Sequence, residues 1–313
     1  MGYGSYSFDA HDAITKARAK APREKVFEQT KCHPLMNPLG IRVRESRDSE
    51  THPNSLGIVF ALDVTGSMGD IPDRIARKDL PRFMKMLFEC GVADPQVLFT
   101  AIGDATCDRA PLQIGQFESE AELMDQWLTW SFLEGGGGGG MKESYELGMY
   151  LAARHTSMDC YEKRGRRGYF FMTGDEHPYP RISKAQVKAL IGDELDDDLP
   201  IERIIEELSV TFEPFFLVPD LLRGKRCGRV WRDLLGDHVI ALESSEDTCH
   251  AAAALVGLSE GALENVDEVA ERLRASGLTR ERVGSIVRAI TPFAESLRPA
   301  SERAVITRKA ALR

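Results

Sequence analysis

No stretch of this chain approaches the roughly 20 consecutive apolar residues that a membrane-spanning helix requires. The first 20 residues, MGYGSYSFDAHDAITKARAK, carry no apolar block of the kind found in a secretory signal. Cysteine is sparse and scattered. Cys32, Cys90, Cys107, Cys160, Cys227 and Cys249 include no C-x-x-C pair, which argues against a structural zinc site and, with no export signal, for reduced thiols in a cytoplasmic protein. The neighbours Cys32-His33 and Cys249-His250 are read as incidental. Positive charge is in deficit, with 40 Lys and Arg against 49 Asp and Glu and a net charge of −9, so nucleic acid is not an expected partner. The balance reverses locally: from Arg272 to the end, ten Lys or Arg face three Glu. Those charges read as solvated faces of terminal helices, with docking to an acidic partner as the alternative. Internal repeats are absent, and six glycines at 135–140 form the one low-complexity run.

What is present is the composition of an ordinary globular protein, 42% apolar and 28% charged over 313 residues, enough for one large domain or two smaller ones. Residues 1–55 are polar and weakly periodic and read as an N-terminal arm, with a helix near 10–20 and a short edge strand at 41–44. The prolines of His33-Pro34-Leu35-Met36-Asn37-Pro38 predict a turn-rich loop between them. At Gly57 the pattern changes to a nearly continuous apolar run that ends at Asp63, as in a strand covered on both faces. Similar runs recur at 96–102, 168–172, 211–218 and 238–242. Between them lie i, i+3, i+4, i+7 apolar stripes at 80–87, 145–152 and 201–208. Strand and helix alternating in this way predict a doubly wound α/β sheet, mostly parallel and six-stranded. Leu112 to Phe117 follows too closely on the previous strand for a crossover and is expected as an antiparallel edge strand, with Pro111 at its entrance. This domain is expected over 56–245. Beyond it, 246–313 reads as a helical extension with helices at 244–258, 266–275 and 279–297, where Asp267 and Thr279 suit helix starts and Gly277 a stop.

Ligands of an open α/β sheet bind beyond the carboxyl ends of its strands, and polar clusters fall at those places. Asp63-x-Thr65-x-Ser67 directly follows the first long strand, and alternate residues of an extended loop project together, so a carboxylate and two hydroxyls converge. An all-oxygen set suits Mg²⁺, Mn²⁺ or Ca²⁺. Gly66 and Gly69 permit a tight turn, and Asp70 caps the next helix or stays solvated. The strand at 168–173 runs into Gly174-Asp175-Glu176, and the glycine run leads through Met141, Lys142, Glu143 and Ser144 into a helix. A phosphate-binding loop needs G-x-x-x-x-G-K-[ST] directly after a strand. Here Met141 and Glu143 break that spacing, and a carboxylate repels phosphate, so a mobile loop beside a cation site is the better account of the glycines. His177 stands near the site, either on its rim or in contact with a ligand.

Asp63-Val64-Thr65-Gly66-Ser67-Met68 at the end of IVFALD resembles the first motif of the metal-ion-dependent adhesion site in von Willebrand factor A (vWA) domains. The resemblance covers roughly 57–245 and is to the cytosolic bacterial members of that family. It implies that the two hydroxyls bind the cation directly and that Asp63 acts largely through water. A Thr from a later loop and an Asp after the fourth strand would complete the set, leaving one position open for a partner's carboxylate. Two departures stand out. Thr-Gly-Asp replaces the family's Thr-Asp-Gly, so the resemblance assigns the late carboxylate to Asp175, with Glu176 as its understudy. Glu143 falls where the second-motif Thr belongs, with Ser144 beside it; Glu143 either joins the cation's ligands or is a helix-start acid favoured by the macrodipole. Asp104 and Asp108 receive no metal role from the resemblance.

The expected function is therefore non-enzymatic: a divalent-cation-dependent binding module, an adaptor or scaffold, whose partner is a protein offering an acidic residue. The resemblance implies an AAA+ ATPase or a multi-protein complex as that partner. Two alternatives stay open. One is a metal-dependent phosphoesterase using Asp63, Asp175 and Glu143, weakened by the Thr two places after Asp63 and by the lack of a histidine cluster. The other is a structural subunit whose degenerate site holds no metal.

Overall fold

The structure, a computed structural model, describes residues 4–66, 68, 70–135 and 140–297. Its centre is a six-stranded sheet built from β1 (Ser55–Asp63), β2 (Asp94–Ile102), β3 (Leu112–Ile114), β4 (Gly168–Thr173), β5 (Phe212–Val218) and β6 (Val239–Ala241). The strand order is β6-β5-β4-β1-β2-β3. Only β3 runs antiparallel, against residues 100–102 of β2, as the short hairpin connection predicts. This is the doubly wound α/β sheet expected from the alternation of apolar runs and stripes, with its topological switch point at β1 and β4.

Every residue of β1, β2 and β4 is buried, because both faces of the sheet are covered. On one face Phe99, Phe60, Phe171 and Phe215 stand side by side on β2, β1, β4 and β5, paired directly in register, with ring centroids 5.3–6.0 Å apart. On the other face Phe216 lies under helix α4 (Tyr145–His155) and helix α6 (Leu221–Leu235). Helices α2 (Leu80–Glu89) and α9 (Arg280–Ser296) close the phenylalanine row, Phe83 edge-on to Phe60 at 5.0 Å and Phe293 edge-on to Phe215 at 4.9 Å. Helix α7 (Thr248–Ser259) is apolar on all sides, and each residue from Thr248 to Leu258 is buried, as such a composition requires. Helix α5 (Ile201–Thr211) packs beside α4, and helix α8 (Val266–Ala275) beside α9.

The arm is tied to this body. Helix α1 (Phe8–Arg18) is capped by Ser7, and its Arg18 donates to both carboxylate oxygens of Asp125 on helix α3 (Ala121–Thr129). The expected edge strand at 41–44 is displaced to Arg44–Ser46, and it pairs in parallel with Thr156–Met158 instead of joining the main sheet. Helix α8 starts at Val266 as expected, with Asp267 in its first turn. Asn265 is the cap, and its side chain accepts from the backbone N–H groups of Asp267 and Glu268. Thr279 does cap α9, and Gly277 takes the left-handed conformation, at φ 90°, that ends α8. Among the described residues, no helix is long and apolar enough to cross a membrane.

Candidate functional site

The loop after β1 is pinned at its first residue, where Val64 N–H donates to the Ile102 carbonyl at the end of β2. Asp63 is fully buried, and both of its oxygens are engaged. Oδ1 accepts from the Thr65 backbone N–H at 3.0 Å and from the Thr65 hydroxyl at 2.6 Å; Oδ2 accepts from the Tyr145 hydroxyl at 2.7 Å. Burial pushes the Asp63 carboxyl up to about 6, the hydrogen bonds from Thr65 and Tyr145 pull it down, and the charge of Asp175 adds to the rise. Because the Thr65 hydroxyl spends its proton on Asp63, its lone pairs are left for another ligand. Met68 N–H bonds back to the Thr65 carbonyl at 3.0 Å and closes the turn. Ser67 lies outside the described residues.

Two further loops meet this one. Glu143 leaves the glycine run as part of a short parallel pairing of Lys142–Glu143 with His177–Pro178, which stitches that loop to the one after β4. Ser144, fully buried, joins the loop after β2: its N–H donates to the Gly103 carbonyl at 3.1 Å and its hydroxyl accepts from Ala105 N–H at 3.0 Å. Glu143 is 8% exposed, and its Oε2 finds no hydrogen-bond partner among the described residues. Its carboxyl is pushed up to about 9, first by burial and then by the negative charges of Asp63, Asp104, Asp108 and Glu176. Asp104 and Asp108, given no role by the resemblance, thus belong to the site's electrostatics. Asp104 also accepts from the Tyr179 hydroxyl at 3.1 Å and Asp108 from Asp104 N–H at 2.7 Å.

Asp175 is buried, and its Oδ2 accepts from the Arg223 guanidinium at 2.6 Å. Glu176 is half-buried with its carboxyl raised, by burial and then by Asp175; its backbone carbonyl accepts from the Trp231 indole at 3.0 Å. His177 is half-buried, and its N–H reaches the Met141 carbonyl at 3.2 Å. Asp63, Thr65, Glu143, Asp175 and Glu176 are therefore gathered at the carboxyl ends of β1 and β4, with Ser144 as the link that holds the loops. A polar groove of about 320 Å³, lined by Met68, Asp70, Asp220, Arg223, Glu243 and Ser244, opens beside them.

Two participants were missed in the sequence. Tyr145 reads there as one apolar position of a helix stripe, and Arg223 belongs to a helix that the periodicity does not reveal. Tyr145 also limits what position 174 can hold. A Cβ on Gly174 would stand 2.3 Å from the Tyr145 hydroxyl oxygen and 2.6 Å from the adjoining ring carbon, so position 174 cannot carry a side chain while the ring is there. The carboxylate is found at the next position, 175.

The chemistry of these donors fits a hard divalent cation. A buried, unpartnered carboxylate oxygen and a hydroxyl with its proton turned away are oxygen ligands in surroundings of excess negative charge. Carboxylates by themselves do not suffice: among the described residues, no three His, Cys, Asp or Glu side chains are grouped so that they could hold a metal. Hydroxyl ligands would have to complete any such set.

No family profile matches the sequence, and no curated protein matches it. Several solved structures align with it at low identity. Proximal thread matrix protein 1 from the mussel byssus is 9% identical over 68% of this chain and 48% of its own, with a TM-score of 0.39. The pilus adhesin SpaC of Lactobacillus rhamnosus GG, in its open conformation, is 11% identical over 72% of this chain and 31% of its own, with a TM-score of 0.45. A von Willebrand factor type A structure from Catenulispora acidiphila is 13% identical over 72% of this chain and 49% of its own, with a TM-score of 0.37. The chain spans less than half the length of each of these three structures.

Proposed function

We propose that the chain is a divalent-cation-dependent protein-binding module, an adaptor or scaffold without catalytic activity of its own. Thr65 and Asp175, with Ser67 from the sequence motif and Glu143 from the glycine-rich loop, are the residues that would hold Mg²⁺, or Mn²⁺ or Ca²⁺ in its place. Asp63 orients the Thr65 hydroxyl through its 2.6 Å bond and, held in turn by Tyr145, supplies charge from behind. The cation, when bound, provides an anchor for a carboxylate of the partner. The observation that carries this reading is Glu143: a buried carboxylate, unpartnered at one oxygen and facing further acids, is costly unless a proton or a cation neutralises it. The cytoplasm is the compartment we infer, in keeping with six cysteines that are all free thiols. An AAA+ ATPase or another multi-protein complex is the partner class that the motif's resemblance suggests.

Calorimetry with Mg²⁺ and Mn²⁺ tests this directly. The wild type is expected to take up one ion, Asp63→Ala none, and Glu143→Gln one with affinity lower by about tenfold or more, the scale on which outer and inner partners of metal sites act. Absence of uptake by the wild type would sink the proposal. A second reading, a metal-free structural subunit, is favoured by one contact, the Arg223 guanidinium already seated on Asp175. Arg223→Met separates the two. Cation affinity rises if the guanidinium competes for Asp175, whereas in a metal-free subunit the variant loses stability and still takes up no ion.

A further inference from the structure

Helix α6, LLRGKRCGRVWRDLL, concentrates charge of the sign that the rest of the molecule lacks. It carries five cations, Arg223, Lys225, Arg226, Arg229 and Arg232, against one acid, Asp233, in a chain of net charge −9. Its buried side is Cys227, Gly228, Trp231 and Leu235, with Trp231 stacked on Phe216 at 3.9 Å. Its outer side repeats at i, i+3, i+4, i+7, i+8: Leu222, Lys225, Arg226, Arg229 and Val230 are all exposed, Leu222 at 72%. Among the described residues, Arg223 alone of the five cations forms an ion pair. A solvated helix in an acidic protein has every opportunity to pair such cations with its own carboxylates, and this one leaves them turned outward. The face begins at the candidate cation site, since Arg223 binds Asp175 and the positive charge of Arg226 acts on Glu176.

We infer that the outer face of helix α6 is a docking surface for an acidic, leucine-containing segment of a partner protein, lying beside the cation site. This rests on the proposed function for its setting, since that reading already requires a partner carboxylate at the adjoining loop; the helix adds complementary charge along the approach. The aliphatic side chains within the stripe favour a protein segment over a phosphate backbone, because Leu222 and Val230 would gain burial only against apolar side chains. The net charge of −9 opposes a long polyanion, whereas a short acidic segment meets only the helix.

The test uses the full chain with Mg²⁺ and, as probe, a fluorescein-labelled decapeptide of aspartate, glutamate and leucine, followed by anisotropy. Binding is expected to weaken as salt rises. It should weaken about tenfold or more in Lys225→Glu/Arg229→Glu, which reverses two exposed charges while leaving Arg226 beside Glu176. Leu222→Ala should weaken it severalfold. Mg²⁺ uptake by the charge-reversed protein, measured by calorimetry, should match the wild type. If peptide affinity is unchanged in Lys225→Glu/Arg229→Glu while Mg²⁺ still binds, the inference falls and the cation site stands. If Mg²⁺ does not bind but the peptide does, with the same sensitivity to the two charges, the docking face stands without the cation. Displacement of the peptide by a 20-base-pair duplex or by phosphatidylserine vesicles, at concentrations below its own, would overturn the assignment to a protein segment.

Discussion

Tyr145 donates to Asp63 from the first turn of a helix 82 residues further along the chain, and Arg223 reaches Asp175 from 48 residues beyond it. Separations of that length are why these two contacts are not legible in the sequence, whereas Asp63 and Thr65 are: the pair sits two residues apart at the end of an apolar run, so spacing by itself brings it together. Glu143 lies between the two cases. Its place before the helix can be read off the sequence, but its burial against Asp63, Asp104 and Asp108 depends on three loops meeting. The Tyr145 contact yields a direct expectation. Tyr145→Phe leaves Asp63 Oδ2 without its donor in a fully buried setting, at a cost on the order of 1–3 kcal/mol in urea denaturation. Gly174→Ala should cost at least as much, because the added methyl group meets a rigid ring and not the end of a flexible side chain. In a Tyr145→Ala background the Gly174→Ala cost should shrink, giving a coupling of about 1 kcal/mol or more in a double-mutant cycle. Additive costs would mean that the ring is not what excludes a side chain at 174.

At the level of elements, the sheet was readable because both its faces are buried, which turns whole strands into apolar runs. Helix α6 was not. Its buried side is assembled from Cys227, Gly228 and Trp231, which produce no aliphatic stripe, and its charged side masks the period. The strand at Arg44–Ser46 was displaced from 41–44 because its register is set by Thr156–Met158, a segment that carries no apolar alternation. The phenylalanine row runs across the expected boundary at 245. Phe293, from the segment beyond it, lies on Phe215 as Phe83 lies on Phe60. Phe293→Ala should therefore destabilise the protein by about 3–5 kcal/mol, the range expected for Phe60→Ala. Chemical denaturation should show a single transition in each variant. A separate early transition in Phe293→Ala, with the main one unmoved, would mark 246–297 as an independent unit.

Across the whole molecule, the peripheral helices bury histidines that the sheet does not need. His11 on α1 and His250 on α7 are both held well below the ordinary imidazole value, at about 4, mainly by burial and then by arginines: Arg18 for His11, and Arg282, Arg82 and Arg74 for His250. The folded value lies below the unfolded one, so between pH 6.5 and about 4 the unfolded chain takes up protons that the native chain refuses. Stability contributed by each neutral ring is present above pH 6.5 and is lost as the pH falls, by up to roughly 3 kcal/mol per histidine. Buried acids such as Glu146, raised to about 8, slope the other way, so the test is a difference. The stability of the wild type minus that of His250→Gln should decline between pH 6.5 and 4 and stay level above 7. A difference that is flat across that range would show that His250 takes up its proton in the native state over the same pH range as in the unfolded chain. The attachment of these helices was not legible in the sequence because it depends on residues such as Phe293 that meet the sheet only after the chain has folded back across it.

The mutual exclusion between the ring at 145 and any side chain at 174 also restricts how such a site can change through descent. A chain with this tyrosine cannot take an aspartate at position 174 in one step, since the new Cβ would stand 2.3 Å from the hydroxyl oxygen. It must first lose the tyrosine, and with it the hydroxyl that holds Asp63. The order Gly-Asp and an aromatic residue at the helix start are therefore expected to occur together: chains built on the same plan should divide into those with both features and those with a small residue at 145 and the carboxylate directly after the strand's threonine.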